Sequence, residues 1–98
     1  MTIDDVRRLI APELPALRAC GVTALHVFGS IARGEAQPTS DIDVIVDYDP
    51  DSKFNLIDLA GVQRRLAERL GTSVDVVTRT AIHRRIRDQV LKEAVRVF

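Results

Sequence analysis

The chain has 98 residues, of which 46% are apolar and 29% charged, and its 14 basic residues balance its 14 acidic ones. We expect one domain over residues 1–98 with a modest core. Zero net charge argues against sequence-independent nucleic-acid binding as the main activity, although it leaves room for a local basic patch. The single cysteine excludes an intrachain disulfide. No apolar run is long enough to span a membrane, and the first residues lack the apolar region of a secretory signal, so we expect a cytoplasmic protein.

The first predicted element is a helix that opens at a capping box formed by Thr2 and Asp5. Pro12 and Pro15 should kink or restart this helix, because proline has no N–H to donate. Gly21 should end the helical segment.

Three strands are predicted, at Thr23–Phe28, Asp41–Tyr48 and Ser73–Thr78, and the second of these is rich in Ile and Val. Between the first two strands, Ser30–Arg33 is predicted to form a brief helical turn and Glu35–Ser40 a loop.

Two further helices complete the chain. The first should begin after a cap at Asn55 and end at Gly71, and the second should begin at about Ala81. This order predicts an α/β (α+β) fold with a small mixed sheet of about three strands and helices packed mainly on one face. Part of the other sheet face would then be available for a functional site.

Two aspartates stand one residue apart at the head of the second predicted strand. Alternate residues of a strand share a face, so Asp41 and Asp43 should point the same way, about 6.5–7 Å apart. Asp75 lies in another apolar strand and would join them if the two strands are neighbours. The residues that alternate with these aspartates along the second strand should face the core; these are Ile42, Val44, Val46 and Tyr48.

Three converging carboxylates repel one another, and protonation, a basic neighbour or a cation must offset that repulsion. Carboxylate oxygens favour Mg²⁺, and two such ions can clamp a phosphoryl group during in-line displacement. The D-x-D pattern alone is weak, since Asp41 also suits a loop-to-strand transition and Asp43 a solvent-facing strand position. Aspartate is nevertheless unfavourable in strands, and here it recurs in two of them.

Gly29 and Ser30 follow a predicted strand and open a helical turn. Backbone N–H groups at such a turn bind anions, and glycine permits close approach of a phosphate. A turn glycine followed by a serine N-cap is the simpler interpretation of the same dipeptide. Together with the later aspartates, however, the dipeptide predicts a site for a metal–nucleotide complex.

The segment GSIARGEAQPTSDIDVIVD closely resembles the signature G-S-x-A-R-G-x-A-x-x-x-S-D-[IL]-D-[LV] of the nucleotidyltransferase superfamily that includes DNA polymerase β. The resemblance covers nearly the whole chain. The small size of the chain and the VDVVT strand after a Leu-rich helix resemble the minimal nucleotidyltransferases, which are antitoxins paired with HEPN-domain toxins.

This resemblance implies the roles of the candidate residues. Gly29 and Ser30 would contact the phosphates of ATP, and Arg33 is a further candidate for phosphate contact. Two Mg²⁺ ions would be held by three carboxylates, those of Asp41, Asp43 and Asp75.

For the minimal group, the implied reaction transfers AMP from ATP to a tyrosine hydroxyl of the toxin and releases diphosphate. Asp75 would also be the candidate base. Ile31 departs from the pattern, because relatives often have a basic residue at this position. The absence of that positive charge would weaken nucleotide binding.

The remaining candidates are interpreted as structural. His26 and Cys20 lack the partners of a zinc site or a nucleophile, and Asp47 lies further along its strand than the other aspartates. The basic run His83–Arg87 is either a solvated helix face or a contact for an acidic partner or RNA.

Two other functions stay open from the sequence. One is a non-catalytic antitoxin that neutralises the toxin by binding and occlusion. The other is a nucleotidyltransferase acting on RNA or a small molecule, although 98 residues leave little room for a substrate-selecting domain. The complete G-S…D-x-D…D pattern favours the protein-modifying enzyme.

Overall fold

The computed structural model describes residues 1–35, 37 and 41–98, so most of the predicted loop Glu35–Ser40 lies outside the described residues. Its helices are α1 (Ile3–Ile10), α2 (Leu14–Ala19), α3 (Leu56–Leu70) and α4 (Arg84–Glu93). Its strands are β1 (Val22–Phe28), β2 (Ile42–Tyr48), β3 (Val74–Val77) and β4 (Val95–Arg96). None of the described helices has the length and apolar character needed to cross a bilayer.

Local sequence signals set most of the helix ends. The predicted capping box of α1 is confirmed, since the Asp5 N–H donates to Thr2 Oγ1 at 3.1 Å and the Thr2 N–H donates to Asp5 Oδ2 at 2.9 Å. Pro12 falls in a 3-10 turn that separates α1 from α2. Asn55 caps α3, and Gly71 ends it with a left-handed φ of 69°.

The sheet has the strand order β3-β2-β1-β4, one strand more than the predicted three. β1 and β2 are antiparallel, whereas β2 and β3 are parallel, so the sheet is mixed as predicted. The extra strand, β4, has only two residues and pairs with His26 and Val27 of β1. A two-residue strand has no periodicity of its own, so only its pairing defines it.

The main core lies between one face of the sheet and helices α1, α2 and α3. It contains Val44 and Val46 of β2 together with apolar residues of all three helices, including Ile10, Leu17 and Leu66. Tyr48 is not buried in this core as predicted. It is the last residue of β2, is 41% exposed, stacks on Phe54 with ring centroids 4.8 Å apart, and lines a pocket with Leu56 and Leu59 of α3.

The other face of the sheet is partly covered by the segment that follows β3. A 3-10 turn at Arg79–Ala81 comes first, and α4 begins at Arg84, three residues later than the predicted start at Ala81. Ile45 of β2 is fully buried on this second face, outside the main core cluster. No residue of α4 is itself fully buried.

An ion pair fastens the 3-10 turn to this second face. Arg79 donates two hydrogen bonds to the Asp47 carboxylate, at 2.6 Å from Nε and 2.9 Å from Nη2. His26 Nε2 lies 3.0 Å from Asp47 Oδ2 on the neighbouring strand. Hydrogen bonds from Arg79 lower the pKa of Asp47, with a smaller contribution from His26. Asp47 and His26 therefore have a structural role here.

We expect Asp47→Asn to lower the free energy of unfolding at pH 7 by about 1 kcal/mol, since this pair is partly exposed. The folded-state pKa of Asp47 is depressed, so its contribution is present above the unfolded pKa of about 3.9 and is lost as the pH falls through the folded value. Urea unfolding at pH 7 and pH 3 should show the difference from wild type shrinking at the lower pH. Glu68→Gln, an exposed change on α3, is the control, and an equal loss in both variants would contradict the prediction.

Candidate active site

Asp43 and Asp75 are neighbours across the parallel pairing of β2 and β3. Their Cα atoms are register partners, as are those of Ile42 with Val74 and Val44 with Val76. The valine and isoleucine neighbours are buried on the core face, whereas Asp43 is half-buried and Asp75 exposed on the opposite face. The predicted shared patch of these two aspartates is therefore present.

Gly29 brings the end of β1 against Asp43. Phe28 is the antiparallel partner of Asp43, and Gly29 turns the chain immediately afterwards with a φ of 74°. A Cβ atom placed on Gly29 would lie 2.6 Å from Asp43 Oδ2. The left-handed backbone favours glycine here, and a Cβ at this position would also displace the Asp43 carboxylate.

The predicted turn after β1 is also present. The Arg33 N–H donates to the Gly29 carbonyl at 3.2 Å, and the Gly34 N–H donates to the Ile31 carbonyl at 3.2 Å. Ser30 lies within this turn and is half-buried. Ile31 is only 3% exposed and belongs to the main core, so its side chain does not face the site where relatives often have a basic residue.

The carboxylates make this part of the surface electronegative. Burial raises the pKa of Asp43, and the charges of Asp75 and Asp41 raise it further. The guanidinium of Arg33 opposes this effect on the Asp43 pKa. Arg33 is itself paired with two glutamates, Glu35 at 3.1 Å and Glu93 at 3.4 Å.

The three predicted ligands fit a divalent cation by their chemistry. All are hard oxygen donors of the kind that Mg²⁺ prefers, and the pKa of Asp43 is raised by burial first and then by the charges of Asp75 and Asp41. Among residues 1–35, 37 and 41–98, no group of three or more His, Cys, Asp or Glu side chains is arranged so that it could hold a metal ion. Asp41 is exposed, just before β2. Their role as a metal-ligand set stays a prediction.

The site is an open surface at one end of the parallel strands. At their other end lies a cavity of about 150 Å³, lined by residues that include Asp47, Tyr48, Thr78 and Arg79.

Two charged residues near these features make contacts that no local sequence pattern indicates. Arg79 meets Asp47 over a separation of 32 residues, and Glu93 meets Arg33 over 60. A contact between distant long side chains leaves no local pattern. The basic run His83–Arg87 is largely accounted for: Arg84 and Arg85 are exposed, while Arg87 Nη2 donates to the Ile82 carbonyl at 3.0 Å.

A mixed sheet that presents a glycine turn beside two strand aspartates is the arrangement expected of a nucleotidyltransferase. Residues 8–97 match the family model of the nucleotidyltransferase domain, and the chain belongs to that family. The fold and family predicted from the G-S…D-x-D…D pattern are thereby confirmed.

Two relatives are similar over their full length. A protein of Methanocaldococcus jannaschii named "putative protein adenylyltransferase" is 40% identical over 98 residues, which are all of both chains. The protein adenylyltransferase MntA of Thermococcus cleftensis is 32% identical over 98 residues, which cover 99% of this chain and 97% of the relative.

Solved structures share the fold. One described as a "putative minimal nucleotidyltransferase" has a TM-score of 0.78 at 35% identity, covering 97% of this chain and 95% of the other. A toxin–antitoxin complex with AMP-PNP has a TM-score of 0.69 at 21% identity, over 100% and 73% of the two chains. A tri-AMPylated Shewanella oneidensis HEPN toxin in complex with MNT antitoxin has a TM-score of 0.61 at 20% identity, over 94% and 71%. The last two show the fold alone.

Gly29→Ala and Gly34→Ala form a matched pair that separates backbone strain from disturbance of the site. Both glycines have a left-handed φ, 74° and 73°, so each alanine should cost roughly 1–2 kcal/mol of stability. Only at Gly29 would the new Cβ meet the Asp43 carboxylate, since no described atom lies within 4 Å of a Cβ at Gly34. We expect Gly29→Ala to lose Mg·ATP binding by calorimetry and Gly34→Ala to keep it. Equal binding by both variants would contradict this role of Gly29.

Asp43→Asn should stabilise the fold at neutral pH. The folded-state pKa of Asp43 is raised, so the ionised group opposes folding above that pKa, and removing its charge relieves the repulsion. We expect a higher thermal midpoint than wild type at pH 7 in metal-free buffer, with the gain disappearing as the pH falls below about 4. A lower midpoint for Asp43→Asn at pH 7 would contradict the predicted repulsion.

Proposed function

We propose that this chain is a Mg²⁺-dependent protein adenylyltransferase that acts in the cytoplasm as a single-domain antitoxin. It would transfer AMP from ATP to a tyrosine hydroxyl of a HEPN-domain toxin and so neutralise the toxin. The observation that carries the proposal is the placement of Gly29 against Asp43, with Asp75 as the register partner of Asp43.

The relatives support the choice of substrate and acceptor. Two full-length relatives are named for protein adenylylation, and at 40% and 32% identity they cover essentially the whole of this chain. Among the proteins that share the fold, one toxin–antitoxin complex carries AMP-PNP and another contains an AMPylated HEPN toxin. These point to ATP as the donor and to a toxin protein as the acceptor.

The proposed reaction is a direct in-line transfer. The acceptor oxygen forms a bond to the α-phosphorus of ATP, the bond from that phosphorus to the bridging oxygen of the β-phosphate breaks, and diphosphate leaves. Asp75 would take the hydroxyl proton, since it is exposed on the open face beside Asp43. No covalent intermediate on the enzyme is required.

The other residues would bind and orient the nucleotide. Ser30 would donate a hydrogen bond to a phosphate oxygen, Gly29 would permit close approach of the triphosphate, and Arg33 would contribute positive charge. Asp41, Asp43 and Asp75 would hold Mg²⁺, which when bound polarises the α-phosphate and neutralises charge on the leaving diphosphate.

The open geometry suits an acceptor from another protein. Asp75 is exposed among the residues that the structure describes, so a tyrosine on a partner could reach it. We infer that the partner completes the acceptor side of the site.

Intact-mass spectrometry of a coexpressed partner tests this function. A coexpressed HEPN-domain partner should gain the mass of one or more AMP groups with wild type and none with Asp43→Asn, because that change removes a central carboxylate. Asp88→Asn on the exposed side of α4 is the control and should modify the partner as wild type does.

The result that would overturn the enzyme is a partner that is bound and silenced but unmodified with both wild type and Asp43→Asn. That outcome would identify an occluding antitoxin. Peptide mapping of a modified partner then distinguishes tyrosine from another acceptor residue.

A further inference from the structure

Arg33 is held by two carboxylates in addition to lying near the active-site aspartates. Its Nε donates to Glu35 Oε2 at 3.1 Å, and its Nη1 donates to Glu93 Oε2 at 3.4 Å. Glu35 is a near neighbour in sequence, whereas Glu93 is 60 residues away, so the second pair is a tertiary contact. It joins the turn after β1 to the end of α4.

Glu93 lies at the C-terminus of α4, a position that disfavours a carboxylate. It is the last residue of α4, and a carboxylate near a helix C-terminus interacts unfavourably with the negative end of the helix dipole. Its Oε1 accepts from Gln89 Nε2 at a long 3.5 Å. The attraction of Arg33 is the compensating interaction, and α4, which has no fully buried residue, gives little other support.

The charges around Arg33 also disfavour a nucleotide. The Arg33 guanidinium pairs with two glutamates. It also lowers the pKa of Asp43, but burial and the neighbouring carboxylates outweigh this effect. A triphosphate that approaches this guanidinium meets two negative groups already bound to it. The triphosphate must share the guanidinium with the two glutamates or displace them.

We propose that Glu93 is a positioning residue that competes with the nucleotide triphosphate for the Arg33 guanidinium. This inference rests on the proposed function, in which Arg33 contributes to phosphate binding. Glu93 touches neither substrate nor metal; it acts by holding Arg33 towards α4. The end of α4 thereby sets how strongly the site binds ATP.

Glu93→Gln removes this competition with little change of shape. The amide keeps an acceptor oxygen for Arg33 but loses the charge, so the affinity for Mg·ATP should rise about two- to fivefold, as expected for a partly exposed ion pair. The KM for ATP should fall by the same factor with kcat unchanged. Glu35→Gln removes the other carboxylate and should act in the same direction, which provides a second variant.

Calorimetric titration with Mg·ATP tests the inference on the isolated chain. The variants are wild type, Glu93→Gln, and Asp88→Asn, which makes the same charge change elsewhere on α4. The series is repeated in an Arg33→Gln background, where the benefit of Glu93→Gln should disappear because its target is gone.

Unchanged or weaker Mg·ATP binding by Glu93→Gln would overturn the inference. It would also be overturned if the gain persisted at full size with Arg33→Gln, or if Asp88→Asn gave the same gain, since either result means a general charge effect. If wild type failed to bind Mg·ATP at all, the proposed function would fall together with this inference. Binding that is insensitive to Glu93 would remove this inference alone.

Discussion

The parallel pairing of β2 with β3 is the constraint on which the site depends, because it makes Asp43 and Asp75 direct neighbours. A shift of one residue in this register would turn one strand over and carry its aspartate into the core. Buried Val44 and Val76, which are also register partners, oppose such a shift. The apolar residues that hold the fold together therefore also fix the two carboxylates.

The same arrangement weakens the fold locally. Burial and two neighbouring carboxylates raise the pKa of Asp43, so the ionised site opposes folding at neutral pH. Gly29 adds a left-handed turn at the same place. The core between the sheet and helices α1–α3 offsets this cost, as does the Arg79–Asp47 pair on the second face. A cation at the carboxylates would convert the repulsion into binding energy for the metal.

Much of the site could be predicted from local pattern. The alternation of aspartate with β-branched residues in IDVIV and SVDVV indicates which face each side chain takes, because strand periodicity is strict. Glycine after a strand indicates a turn for the same kind of local reason, and Asn55 and Gly71 mark the ends of α3 through capping.

The remainder depends on contacts between distant parts of the chain. β4 exists only through pairing with β1, and Tyr48 at the end of β2 is 41% exposed although strand alternation predicts that it faces the core. Glu93 and Arg79 meet their partners across long separations, and single charged residues in helices and turns carry no signal of such contacts. The start of α4 was predicted too early because the 3-10 turn at Arg79–Ala81 precedes it.

A crystal structure of the chain with Mg²⁺ and a non-hydrolysable ATP analogue is the most direct test of the site. We expect metal between Asp43 and Asp75, with the phosphates against Gly29 and Ser30. Nucleotide bound instead in the cavity beside Tyr48 and Arg79, with the carboxylates free of metal, would contradict the assignment of this face as the active site.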